Sequence, residues 1–124
     1  MATSKDATIY DLVLNTGTIV VPAALDDDTV SLVITPTRPC RKLMLLITNG
    51  GAGYNIDVVA GGYWAGKAMT AVTMAGEVRA FVFEAARFLK YQVNTAGSVY
   101  DYRIVVTFGA NATTTTYYTV MQLP

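Results

Sequence analysis

No histidine occurs anywhere in this chain. That removes Ser-His-Asp and Cys-His nucleophile pairs, histidine general bases and the usual zinc sites. Cys40 is the only cysteine, so no intrachain disulfide and no multi-cysteine metal site can form, and an isolated thiol reads as buried and inert. Glutamate occurs only at Glu77 and Glu84, one in a turn and one at a strand end, which is a poor basis for paired-carboxylate glycoside hydrolysis. No glycine-rich phosphate cradle follows a strand and opens a helix. Charge is scarce as well: nine basic and nine acidic side chains cancel, giving no overall pull toward nucleic acid or anionic lipid. The longest aliphatic run, Leu43 to Ile47, is too short to span a bilayer, and the first residues lack a basic stretch followed by an apolar one. These absences lead us to expect a protein made in the cytosol, not an enzyme, with no cofactor or metal and no nucleic-acid or membrane partner.

What the chain does have is apolar content, 52% of its 124 residues, enough for one independently folded domain. The apolar residues mostly alternate with polar ones, the period of a strand with one buried face. Thr29 to Thr35 sets Val30, Leu32 and Ile34 against Ser31 and Thr35, and Tyr54 to Ala60 sets Ile56 and Val58 against Asn55, Asp57 and Val59. Val78 to Glu84 places Phe81 and Phe83 on the face of Arg79, with Val82 opposite. Tyr100 to Phe108 places Tyr100, Tyr102, Ile104, Val106 and Phe108 together. Arg41 to Thr48 is apolar on both faces, the pattern of a strand covered on two sides. Further strands are expected over Thr8 to Leu14, Thr18 to Val21 and Arg87 to Thr95, and over Thr115 to Leu123 through Tyr117, Thr119, Met121 and Leu123. Ala65 to Thr73 reads as a long loop ending in a short strand, and Ala85-Ala86 as one tight helical turn. Glycines at 50, 51, 53, 61 and 62 supply breaks between strands. The predicted fold is all-β, an antiparallel, jelly-roll-like sandwich of eight to ten short strands over residues 8–124.

Candidate contact residues fall in three groups. Residues 1–7, including Ala2, Thr3, Ser4, Lys5 and Asp6, are polar and aperiodic and read as a flexible N-terminal arm. Asp26, Asp27 and Asp28 form an acidic run, and Arg38, Arg41 and Lys42 a basic one. They read as solvated turns, or as complementary patches that meet between subunits. The aspartates could also offer oxygens to calcium, though such a run in a turn is more simply solvated. Tyr63-Trp64 follows a Gly-Gly break and reads either as core or as an exposed aromatic contact. More aromatic and aliphatic side chains are present than one small core readily hides, which points to a homo-oligomer.

The order of these segments resembles the small head-decoration (auxiliary capsid) proteins of tailed bacteriophages. The resemblance rests on Leu45-Leu46-Ile47-Thr48-Asn49-Gly50-Gly51, Ile56-Asp57-Val58-Val59-Ala60-Gly61, Ala75-Gly76-Glu77 and Phe81-Val82-Phe83-Glu84-Ala85-Ala86-Arg87-Phe88. It covers Lys42 to Phe108; the chain before Pro39 departs from the pattern. It implies a sandwich bound to the major capsid protein on the outside of a phage head, often as a trimer, and it carries no catalytic residues. The alternative readings are a carbohydrate- or receptor-binding β-sandwich module and a capsid-forming coat subunit.

Overall fold

The computed structural model describes residues 3–25, 29–36, 42–59, 68–85, 88–93, 100–109, 112 and 115–124. These residues form two mixed sheets and no α-helix. The strands are β1 (Thr3–Asp6), β2 (Ile9–Asp11), β3 (Ala23–Ala24), β4 (Thr29–Ile34), β5 (Lys42–Asn49), β6 (Tyr54–Val58), β7 (Met69–Thr73), β8 (Val78–Glu84), β9 (Lys90–Val93), β10 (Tyr100–Phe108) and β11 (Thr116–Gln122). The first sheet runs β1-β4-β10-β6-β7, with β9 also on β10; the second runs β2-β11-β5-β8, with β3 also on β11. The chain crosses between sheets at most connections, and among the described residues β6–β7 and β9–β10 are hairpins between consecutive strands.

The core lies between the sheets, and alternation decides who enters it. Leu43, Leu45 and Ile47 of β5, with Tyr118 and Val120 of β11, meet Leu32, Ile34, Ile56, Val58, Ile104 and Val106 of the first sheet in one buried cluster. Fully burying each such aliphatic side chain contributes about 1.5–3 kcal/mol. A polar link crosses this interior: the Tyr54 and Thr116 hydroxyls are hydrogen-bonded at 2.8 Å. Burial raises the Tyr54 pKa above its ordinary value, and the hydrogen bond to Thr116 acts in the opposite direction. Edge-to-face ring pairs, Tyr54 with Phe108 and Phe83 with Phe88, fill the two ends.

The all-β sandwich agrees with the sequence reading, and four details differ from it. Residues 3–6 do not stand off as an arm. They form β1, parallel to β4, and the Lys5 Nζ donates to the Ala24 carbonyl at 2.9 Å. A short edge strand is held by its backbone ladder, so the lack of apolar side chains did not prevent pairing. The sheets are mixed and not wholly antiparallel, because β1–β4 and β2–β11 run parallel.

The first expected strand stops at Asp11: Asn15 adopts φ 60°, and Val13, Leu14, Ile19 and Val21 lie exposed in an excursion between β2 and β3. Asparagine tolerates that left-handed backbone, which lies outside the extended conformation of a regular strand. Finally, β11 turns Thr116, Tyr118, Val120 and Gln122 inward, the opposite parity from the one expected. Both of its faces carry apolar residues, so only its pairing with β5, Tyr118 against Ile47 and Val120 against Leu45, settles the choice.

Candidate interaction surface

The alternation that fills the core leaves the outer face of the second sheet largely apolar. In β8, Phe81 and Phe83 are buried, while Val78 and Val82 remain 58% and 52% exposed and Ala80 is exposed between them. The register sets Val82 beside Met44 and Met44 beside Met121. It likewise sets Ala80 beside Leu46 and Leu46 beside Thr119, and Val78 beside Thr48 and Thr48 beside Tyr117. Residues directly opposite one another share a face, so these form three rows across three strands, exposed along β8 and at Thr48 and Tyr117 but buried at Thr119 and Met121. Met44 and Leu46 are half-buried, although the apolar outer face of β5 had suggested a covered strand.

At one margin of this sheet β8 is the terminal strand, seven residues long and in unbroken register with β5. It carries no proline and no bulge, two of the devices that discourage another chain from adding to an edge, while Arg79 supplies a third, an inward-facing charge. The Arg79 Nε reaches from β8 to the Val72 carbonyl of β7 at 2.9 Å, tying this margin to the opposite sheet. At the other margin Lys5 makes the equivalent tie from β1 to β3. Next to that margin, the excursion after β2 presents Val13, Leu14, Ile19 and Val21, Ile19 being 85% exposed. It is anchored by the Leu12 N–H donating to the Gln122 carbonyl and by the Tyr10 hydroxyl donating to the Val21 carbonyl.

Among the described residues, two grooves accompany these surfaces. One, of about 350 Å³, lies beside the end of β8 and is lined by Lys42, Met69, Val82, Phe83, Glu84 and Phe88. Its walls are apolar, with one cation and one carboxylate that sit opposite each other in the β5–β8 register. The other, of about 490 Å³, lies on the outer face of β6 and β7 and is lined by Asn55, Asp57, Thr70, Ala71 and Val72. There the register aligns Ser31, Thr107, Asp57 and Thr70 in a polar row across four strands of the first sheet. The two outer faces therefore differ in chemistry, apolar on one side and hydroxyl-rich on the other.

No family model, curated protein or solved structure matches this chain. The candidates read from sequence divide accordingly. Thr3, Ser4, Lys5 and Asp6 are placed in β1, where Lys5 bonds within the chain. Lys42 opens β5 and lines the first groove. Ala2, Asp26, Asp27, Asp28, Arg38, Arg41, Tyr63 and Trp64 lie outside the described residues. The sequence reading passed over Val78, Ala80, Val82, Ile19 and Val21 as surface. The signal for β8 was present, since Val82 alternates with two phenylalanines and must face outward if they face in. Among the described residues, no three His, Cys, Asp or Glu side chains group where they could hold a metal ion.

Proposed function

We propose that this protein is a structural virion protein that binds the outer surface of an assembled bacteriophage capsid, through its major capsid protein, and stabilises or decorates it. The observation that carries the reading is the apolar outer face of the second sheet, where Val78, Ala80, Val82 and Tyr117 are exposed and Met44 and Leu46 half-buried, bordered by the terminal strand β8. Contiguous apolar surface of this kind marks sites of protein association. The resemblance of Lys42 to Phe108 to head-decoration proteins supplies the capsid as partner and a homotrimer as the working assembly. No enzymatic step belongs to this reading. The protein acts on the virion exterior after synthesis in the host cytoplasm.

A second reading, a carbohydrate- or receptor-binding module, is favoured by the groove of Asn55, Asp57 and Thr70, whose polar groups suit a polyhydroxylated ligand. Electron microscopy of the purified protein, alone and mixed with capsids, separates these readings. Density on the outside of capsids, with no shells formed by the protein alone, supports decoration. Shells formed alone identify a coat subunit. Bare capsids, together with retention on immobilised glycans, favour the second reading and overturn the first.

A further inference from the structure

Asn49 ends β5 and is wholly buried. Its Nδ2 donates to the Ala52 carbonyl at 3.0 Å and lies 3.5 Å from the Thr73 carbonyl, and its Oδ1 accepts from the Gly51 N–H at 2.9 Å. Its main chain is committed as well: the N–H donates to the Glu77 carbonyl at 2.9 Å, and the carbonyl accepts from the Gly76 N–H at 2.7 Å. Four connections thus converge here, from the strand end, the 50–53 turn, the end of β7 and the turn before β8. Gly50 is equally constrained. A Cβ at that position would lie 2.8 Å from the Thr115 carbonyl oxygen, and the Gly50 N–H donates to that same oxygen at 3.1 Å.

The fold therefore demands asparagine followed by glycine, and this is the sole such pair in the chain. In a mobile chain that pair is the one most prone to cyclise. Glycine has no Cβ to hinder its amide nitrogen from approaching the preceding side-chain carbonyl carbon. We propose that Asn49–Gly50 is a latent modification site, silent while this end of the sandwich is closed and reactive once it opens, whose product cannot regain the fold.

The step balances with water as the only co-reactant. The Gly50 nitrogen gives up its proton and bonds to Asn49 Cγ; the Cγ–Nδ2 bond breaks and ammonia leaves, forming a five-membered succinimide. Water then opens the ring at either carbonyl to give aspartate or isoaspartate. In the closed fold both reacting groups are engaged in hydrogen bonds that must break first. The Gly50 proton is engaged by Thr115, and the Asn49 amide is fixed by its bonds on both sides. The product meets the opposite situation. An aspartate oxygen in place of Nδ2 points at the Ala52 and Thr73 carbonyls, acceptor against acceptor, and carries a buried charge with no cation described beside it. Isoaspartate also lengthens the main chain at the residue paired with Thr116.

The test incubates the full chain at mildly alkaline pH in its native state, in urea above its unfolding midpoint, and beside a synthetic peptide of residues 45–53. Peptide mapping reads the mass gained when the side-chain amide becomes a carboxyl. The urea-held chain and the peptide should convert at matching rates, and the native protein at least about tenfold more slowly, because reaction requires opening of a well-bonded site. Chains returned from urea unmodified should refold, and modified ones should not; the Asn49→Asp variant should likewise fail to reach the native fold. Equal conversion in the native protein and the peptide would overturn the shielding, and an Asn49→Asp variant with the parent's unfolding midpoint would overturn the trap.

Discussion

The Tyr54 hydroxyl lies 2.8 Å from the Thr116 hydroxyl, and this contact joins the two sheets through their buried interior. Neither group has water to fall back on, since Thr116 is fully buried and Tyr54 nearly so. Tyr54→Phe should therefore lower stability by about 1–3 kcal/mol, the cost of leaving the Thr116 hydroxyl unpaired. Adding Thr116→Val should recover part of that loss. Urea midpoints of the two single variants and the double variant measure it; independent, additive losses would show that the hydroxyls do not act as a pair.

The same tyrosine predicts a pH dependence. Its pKa is raised in the folded state relative to 10.0, so the folded chain holds the phenolic proton more tightly than the unfolded one. That contribution is complete below pH 10.0 and declines as pH rises through the folded pKa. The stability of the parent should fall more steeply above that pH than that of Tyr54→Phe. Parallel slopes for the two proteins between pH 9 and 11 would contradict the assignment.

Removing residues 2–6 should destabilise the domain, because it takes away β1 and exposes the backbone edge of β4. Loss of a four-residue ladder corresponds to about 1–3 kcal/mol at the usual net value per hydrogen bond. Lys5→Met alone should cost under about 1 kcal/mol, since Lys5 is only partly buried. Thermal melts of the truncated and substituted chains test this. An unchanged midpoint after truncation would return the segment to the role of an arm.

Val82→Arg and Ile19→Asp address the surface without touching the core, because both side chains are exposed. Each should leave the unfolding midpoint within about 0.5 kcal/mol of the parent. Under the proposed function at least one should reduce capsid occupancy in a sedimentation titration. Full occupancy by both variants would exclude the second sheet's outer face and the excursion after β2 as the docking surfaces.

Ile47→Ala should be the most damaging of the simple truncations. Ile47 is fully buried between β8 and β11, opposite Arg79 and Tyr118 in register, and rigid strands on both sides limit collapse around the cavity. The expected loss is about 2–5 kcal/mol, read from chemical denaturation. A loss under about 1 kcal/mol would mean that this part of the core repacks freely.

The sequence by itself determined the class of fold and most of the inward-facing residues. A period of two in Ile56 and Val58, in Phe81 and Phe83, and in Ile104, Val106 and Phe108 admits one buried face, and the structure buries it. It could not determine the parity of β11, where Tyr117 and Met121 compete with Tyr118 and Val120. That choice belongs to the partner strand β5, whose own inner residues leave room for only one register. Nor could it show that residues 3–6 pair, since a backbone ladder leaves no mark in side-chain polarity. The exposure of Val78 and Val82 was half legible: alternation put them outward, but whether another layer covered them was a question of how the two sheets pack. Asn49 and Gly50 read as an ordinary turn. Tertiary structure alone brought the Thr115, Thr73, Gly76 and Glu77 backbones around them, from segments 24 to 65 residues away, and made both residue identities obligatory.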